Sequence, residues 1–162
     1  YGGEKELGNF ASTGGWTIAH GNAMSFYSKA NLIPLTSQQE ELVQTVATNI
    51  YRPCCNNPTS FPDCNHGMAL LGVIELMAAN GANQDQIYEA AKYFNAFWFP
   101  NNYYDLANYF KSKEGKSFKD IDSKLLLRKD YSSASGYQTI KRWLVDNGFV
   151  KEPLKSGGGC GV

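Results

Sequence analysis

Met68-Ala69-Leu70-Leu71-Gly72-Val73-Ile74-Glu75-Leu76-Met77-Ala78-Ala79 is apolar almost all the way round a helix, interrupted mainly by Gly72 and Glu75. A helix without a polar face has to bury itself among other helices. The stretch therefore predicts the centre of an all-α bundle, with Asn80-Gly81 as its stop because glycine takes the left-handed position beyond a helix end without strain.

The flanking segments carry the same helical period. C-terminal to the centre, Asn83-Gln-Asp-Gln86 reads as a capping box, followed by Ile87, Ala90, Ala91, Phe94, Phe97 and Trp98 on one side until Pro100. Residues 101–110 predict a shorter helix with Tyr103, Leu106, Ala107 and Phe110 facing inward. Residues 111–116 read as a polar linker, and Ser117-Phe-Lys-Asp120 starts a helix through Ile121 and Leu125. A connection over 128–136 then leads to a last helix from Tyr137 to Asn147.

N-terminal to the centre, Thr36-Ser-Gln-Gln39 is a second capping box. The stripe Leu42, Val43, Val46, Ala47 and Ile50 continues from it until Pro53, whose preceding residue is driven out of the α region. Upstream, the spacing of Ile18, Ala19, Ala23, Met24, Phe26 and Tyr27 predicts a helix from Trp16 to about Ile33, on which His20 and Met24 share a face. The expected architecture is one helical domain over 1–155, a bundle of about six helices around 68–79. An irregular cysteine-containing loop precedes that centre, and a glycine-rich tail, 156–162, carries Cys160.

Composition narrows the partners. Fifteen basic residues balance fifteen acidic ones, so no global field draws in nucleic acid or an anionic membrane. No run of eighteen apolar residues occurs, which rules out a membrane-spanning helix of the usual kind. The start at Tyr1, the four cysteines and the wealth of Asn, Ser and Tyr suggest an exported protein, periplasmic or extracellular, after removal of an N-terminal targeting or anchor segment.

The chemistry gathers just before the central helix. Residues 54–68 contain three of the four cysteines, Cys54, Cys55 and Cys64, and one of the two histidines, His66. The spacing Cys-Cys-x8-Cys-x-His matches no standard zinc-finger pattern. Thiolates and a neutral imidazole are nonetheless the ligands of soft and borderline metals, and the start of a helix favours thiolate over thiol.

A second signal is an echo: Ala19-His20-Gly21-Asn22-Ala23-Met24 and Asn65-His66-Gly67-Met68-Ala69 both place glycine after histidine and methionine close behind. By itself the first of these reads as ordinary helix packing. Taken with the second, it makes His20, Met24 and Met68 candidate ligands beside Cys54, Cys55, Cys64 and His66, with Cys160 as a further tether or ligand. Copper or an iron–sulfur centre fits that ligand set first, and zinc next.

Two other readings compete. Adjacent cysteines strain both the peptide and the disulfide when bonded to each other, so Cys54 and Cys55 could pair with Cys64 and Cys160 in an exported, disulfide-stabilised helical module that binds a protein partner. A thiol enzyme would instead use Cys64 or Cys55 as nucleophile and His66 as base. No Gly-x-Ser-x-Gly, phosphate-binding loop or Cys-x-x-Cys is present.

Overall fold

The computed structural model describes residues 4–12, 20–25, 27 and 29–151. In chain order its α-helices are α1 (Glu4–Leu7), α2 (Ser37–Asn49), α3 (Asn65–Ala79), α4 (Gln84–Trp98), α5 (Pro100–Glu114), α6 (Ser123–Leu126), α7 (Lys129–Ser132) and α8 (Ala134–Asp146). Among the described residues there is no strand, only an isolated bridge between Tyr51 and Pro58. The protein is an all-α, single-domain bundle.

Both capping boxes form. Thr36 Oγ1 accepts from the Gln39 N–H at 3.3 Å while Gln39 Oε1 accepts from the Thr36 N–H at 2.8 Å. Asn83 and Gln86 repeat the arrangement at 3.0 and 2.9 Å. Each exchange satisfies two of the N–H groups that a helix start leaves without partners. Gln39 does more, since its Nε2 donates to the carbonyl of Ala78 at 3.0 Å and so ties the start of α2 to the end of α3.

Two hydrophobic clusters make the core. The first lies between α2, α3 and α4 around Val46, Ile50, Leu70, Ile74 and Ile87, the second between α5, α6 and α8 around Leu106, Phe110, Leu126 and Leu144. Each of these fully buried side chains contributes about 1.5–3 kcal/mol. Helix α4 packs against α2, α3, α5 and α6 and joins the clusters. On α4, Lys92 is fully buried, yet its Nζ donates to the Ile121 carbonyl at 3.1 Å. Across the second cluster, Asp105 of α5 accepts from Lys141 Nζ at 2.8 Å and from the Tyr137 hydroxyl at 2.7 Å, both on α8.

Five local expectations change. First, α5 runs on through Glu114 and ends at left-handed Gly115, so most of the stretch expected as a linker over 111–116 is helix. Helix α3 is less enclosed than an all-round apolar sequence implies: Gly67, Leu70, Ile74 and Ala78 line its buried face, whereas Leu76 is 54% exposed. The helix foreseen from Trp16 to Ile33 does not run through its described part. There the chain bends at His20 and Gly21, makes a 3₁₀ turn at Ala23–Ser25 and continues without α-helix over 29–36; Trp16 to Ala19 lie outside the described residues. Gly21, at φ +93°, takes a conformation that breaks a right-handed helix and that glycine alone adopts freely.

The segment from Ser117 divides into a 3₁₀ turn, Phe118–Asp120, and α6. Asp122 causes the break, because its Oδ1 accepts from the Leu125 N–H at 2.6 Å and so starts a new helix instead of continuing the old one. Similarly Ser133, accepting from the Gly136 N–H at 3.0 Å, begins α8 at Ala134, before the expected Tyr137.

Candidate metal centre

The loop from α2 to α3 is held on several sides by the backbone. The Tyr51 N–H donates to Leu127 O at 2.9 Å, Thr59 N–H to Ile50 O at 2.8 Å and Ser60 N–H to Ala47 O at 3.0 Å. From the far end of the chain, the Ala134 N–H reaches Cys55 O at 2.9 Å, and Ser135 N–H reaches Asn56 Oδ1 at 2.9 Å. A segment with little regular structure is thereby fixed against α2, α6 and α8.

This scaffold gathers the three sulfurs. Cys54 Sγ lies 3.8 Å from Cys64 Sγ and 4.0 Å from Cys55 Sγ. One nitrogen of His66 completes a group with Cys54 and Cys64 whose ligand atoms are all within 4.8 Å of one another, and Cys55, Asp63 and Cys64 form a second such group. All five side chains are half-buried. The three described cysteines are free thiols, and 3.8 Å is far beyond the ~2.05 Å of a disulfide. It does match the edge of a tetrahedron built on metal–sulfur bonds of ~2.3 Å, which is about 3.8 Å.

Cys64 is the N-cap of α3, and its Sγ accepts from the Gly67 N–H at 3.4 Å. Hydrogen bonding from Cys54 and then Cys55 holds the Cys64 thiol well below its usual range, and the Arg52 guanidinium and the Gly67 N–H act in the same sense. Hydrogen bonding to Cys55 and Cys64, followed by burial, pushes Cys54 upward. Of the three sulfurs, Cys64 is the one whose ionised form its neighbours and the helix start favour. The His66 ring packs on Phe99 with centroids 4.8 Å apart and edge-on to Trp98 at 5.5 Å, so aromatic faces wall that side.

Two site residues escaped the sequence reading. Arg52 is fully buried; its Nη2 lies 3.2 Å from Cys55 Sγ and 3.2 Å from Asp63 Oδ1, and its Nη1 lies 3.4 Å from Thr59 Oγ1. Asp63, the second, also accepts from Asn57 Nδ2 at 2.9 Å. Buried arginine needs an anionic partner, and Asp63 supplies it. The signal available in the sequence was a basic residue just before the cysteine pattern and an acidic one inside it, next to Cys64.

Of the remaining candidates, His20 is the one described histidine outside both groups. It is exposed, and Met24 is half-buried in its 3₁₀ turn. With the helix broken at Gly21, the two do not share a helical face as expected. Met68 lines a cavity of about 250 Å³ together with Leu7, Phe10, Val43, Leu71 and Glu75. Cys160 lies outside the described residues. No helix among the described residues is long and apolar enough to cross a membrane. No protein-family model, curated protein or solved structure matches the chain.

Proposed function

We propose that the protein binds a soft or borderline metal ion through Cys54, Cys64 and His66. The observation that carries this reading is the convergence of two sulfurs 3.8 Å apart and an imidazole nitrogen within 4.8 Å of both. Two thiolates and an imidazole suit Cu(I) or Zn(II). Copper keeps its place from the sequence, while an iron–sulfur centre is the poorer fit, since ligand atoms this close together enclose one ion more readily than a cluster of several irons. A fourth position is left for water, for a group on a partner or for Cys160 on its glycine-rich tail.

The thiol-enzyme reading draws support from the lowered Cys64 thiol at a helix start, the setting in which reactive cysteines are found. It is the weaker of the two because the His66 ring makes no hydrogen bond to Cys64, and a catalytic Cys–His pair depends on that contact. Reduced protein equilibrated with Cu(I) or Zn(II) and freed of excess ion should retain metal. Replacing Cys64 by serine or His66 by alanine should lower the affinity about tenfold or more, given that even outer-shell substitutions cost 10–100-fold. Wild-type protein that emerges metal-free with Cys54 and Cys64 rapidly alkylated would overturn the proposal.

A further inference from the structure

The two groups of potential ligands share Cys64: Cys54, Cys64 and His66 on one side, Cys55, Asp63 and Cys64 on the other. A thiolate can bridge two metal ions, so by ligand type alone the loop could hold a pair. The second group, however, already contains a cation. Arg52 Nη2 sits 3.2 Å from both Cys55 Sγ and Asp63 Oδ1. An ion bonded to those two atoms at ~2.0–2.3 Å would draw on the same lone pairs that accept from Arg52 and would place a second positive charge at most about 5 Å from Nη2. Ion and guanidinium therefore compete for the same seat.

The seat is also shaped for the guanidinium. A Cβ on Gly67 would lie 2.8 Å from Arg52 Nη2 and 2.9 Å from its Cζ, so only glycine leaves the group its space. The place is the start of α3, where the helix dipole disfavours positive charge. Full burial of Arg52 there is offset by the Asp63 carboxylate and the neighbouring sulfurs.

We propose that Arg52 is a tethered internal cation that fills the second ligand group, restricts the centre to one metal ion and keeps Cys55 out of the metal's coordination. The inference rests on the metal-binding reading and adds its stoichiometry and the division of labour among the thiols. Arg52 is in this account a positioning residue: it touches ligand atoms and sets how many ions they take.

The test is a titration of reduced protein with Cd²⁺, following sulfur-to-cadmium absorption and counting bound ions by native mass spectrometry, then mapping alkylation by iodoacetamide. Wild-type protein should saturate at one Cd²⁺, with Cys54 and Cys64 protected and Cys55 still alkylated. Arg52→Met should take two, and adding Cys55→Ser to it should return the count to one. Two ions in the wild type, protection of Cys55 along with the other two, or a folded Arg52→Met that still binds one ion would overturn the inference while leaving metal binding intact. If Arg52→Met does not fold, the wild-type count and alkylation pattern decide alone. A wild type that takes up no Cd²⁺ removes the metal-binding reading itself, and the inference with it.

Discussion

Cys64 is an uncommon choice for a helix cap. Asn, Asp, Ser and Thr usually fill that position because a small oxygen reaches the N–H groups of the first turn, whereas the Cys64 sulfur does so at 3.4 Å. Cys64→Ser should leave the stability of the metal-free protein within about 1 kcal/mol, since a serine caps at least as well, yet strongly reduce metal retention. Thermal denaturation beside metal analysis separates the two effects, and a serine variant that keeps its metal would remove Cys64 from the ligand set. Gly67 tests the Arg52 seat in the opposite sense. Alanine gains up to about 1 kcal/mol over glycine in a helix, the full amount only in its interior, but at 2.8 Å from Arg52 Nη2, in the first turn of α3, it overpacks a buried charge at a cost of about 1–3 kcal/mol. Gly67→Ala should therefore lower the urea midpoint; a rise would show that the guanidinium moves aside freely. At this scale the sequence displayed the candidate ligands by type but not their counter-charge. Nothing in Arg52-Pro53-Cys54 says that this arginine, among fifteen basic residues, is the one that turns inward.

At the scale of elements, the features legible in the sequence were those decided locally. The capping boxes at Thr36 and Asn83 form because both partners lie within four residues of each other. Thr36→Ala and Asn83→Ala should each cost about 1 kcal/mol, measurable as parallel shifts in denaturant midpoint without a change in slope. The helix expected around His20 follows the apolar period, but that period does not register the break at Gly21. Likewise the segment from Ser117 keeps helical spacing across Asp122, whose side chain prefers to cap α6. The approach of α7 to α8 was not readable at all, because it depends on a distance between two backbones. A Cβ on Gly136 would fall 2.2 Å from Lys129 O and 2.6 Å from the Asp130 carbonyl carbon, and backbone cannot swing aside as a side chain can. Gly136→Ala should cost about 3 kcal/mol, at the upper end of overpacking; a variant as stable as the wild type would mean that the two helices are not in contact there.

For the whole molecule, the loop matters beyond its ligands. It makes a backbone hydrogen bond from Ser60 to α2 and receives one at Cys55 from the start of α8, so the candidate centre ties together helices far apart in the chain. An ion bound only by that geometry stabilises the entire fold, by about 2.7 kcal/mol at a free concentration one hundred times its dissociation constant. Loading should accordingly raise the melting temperature by about 5–11 °C in wild-type protein and by clearly less in His66→Ala at the same ion concentration. The apolar run at 68–79 correctly implied a helical bundle, and the cysteine spacing marked the loop in which Cys54, Cys64 and His66 come within reach of one ion. Which helix joins the two core clusters could not be read, because that role of α4 depends on how α3, α5 and α6 are arranged around it and not on its own period. The most direct measurement is the metal content of reduced wild-type protein after equilibration with Zn(II) and removal of free ion, beside Cys54→Ser, Cys64→Ser and His66→Ala. The account predicts close to one ion per chain in the wild type and far less in each variant; a metal-free wild type, or variants that retain as much metal as the wild type, would contradict it.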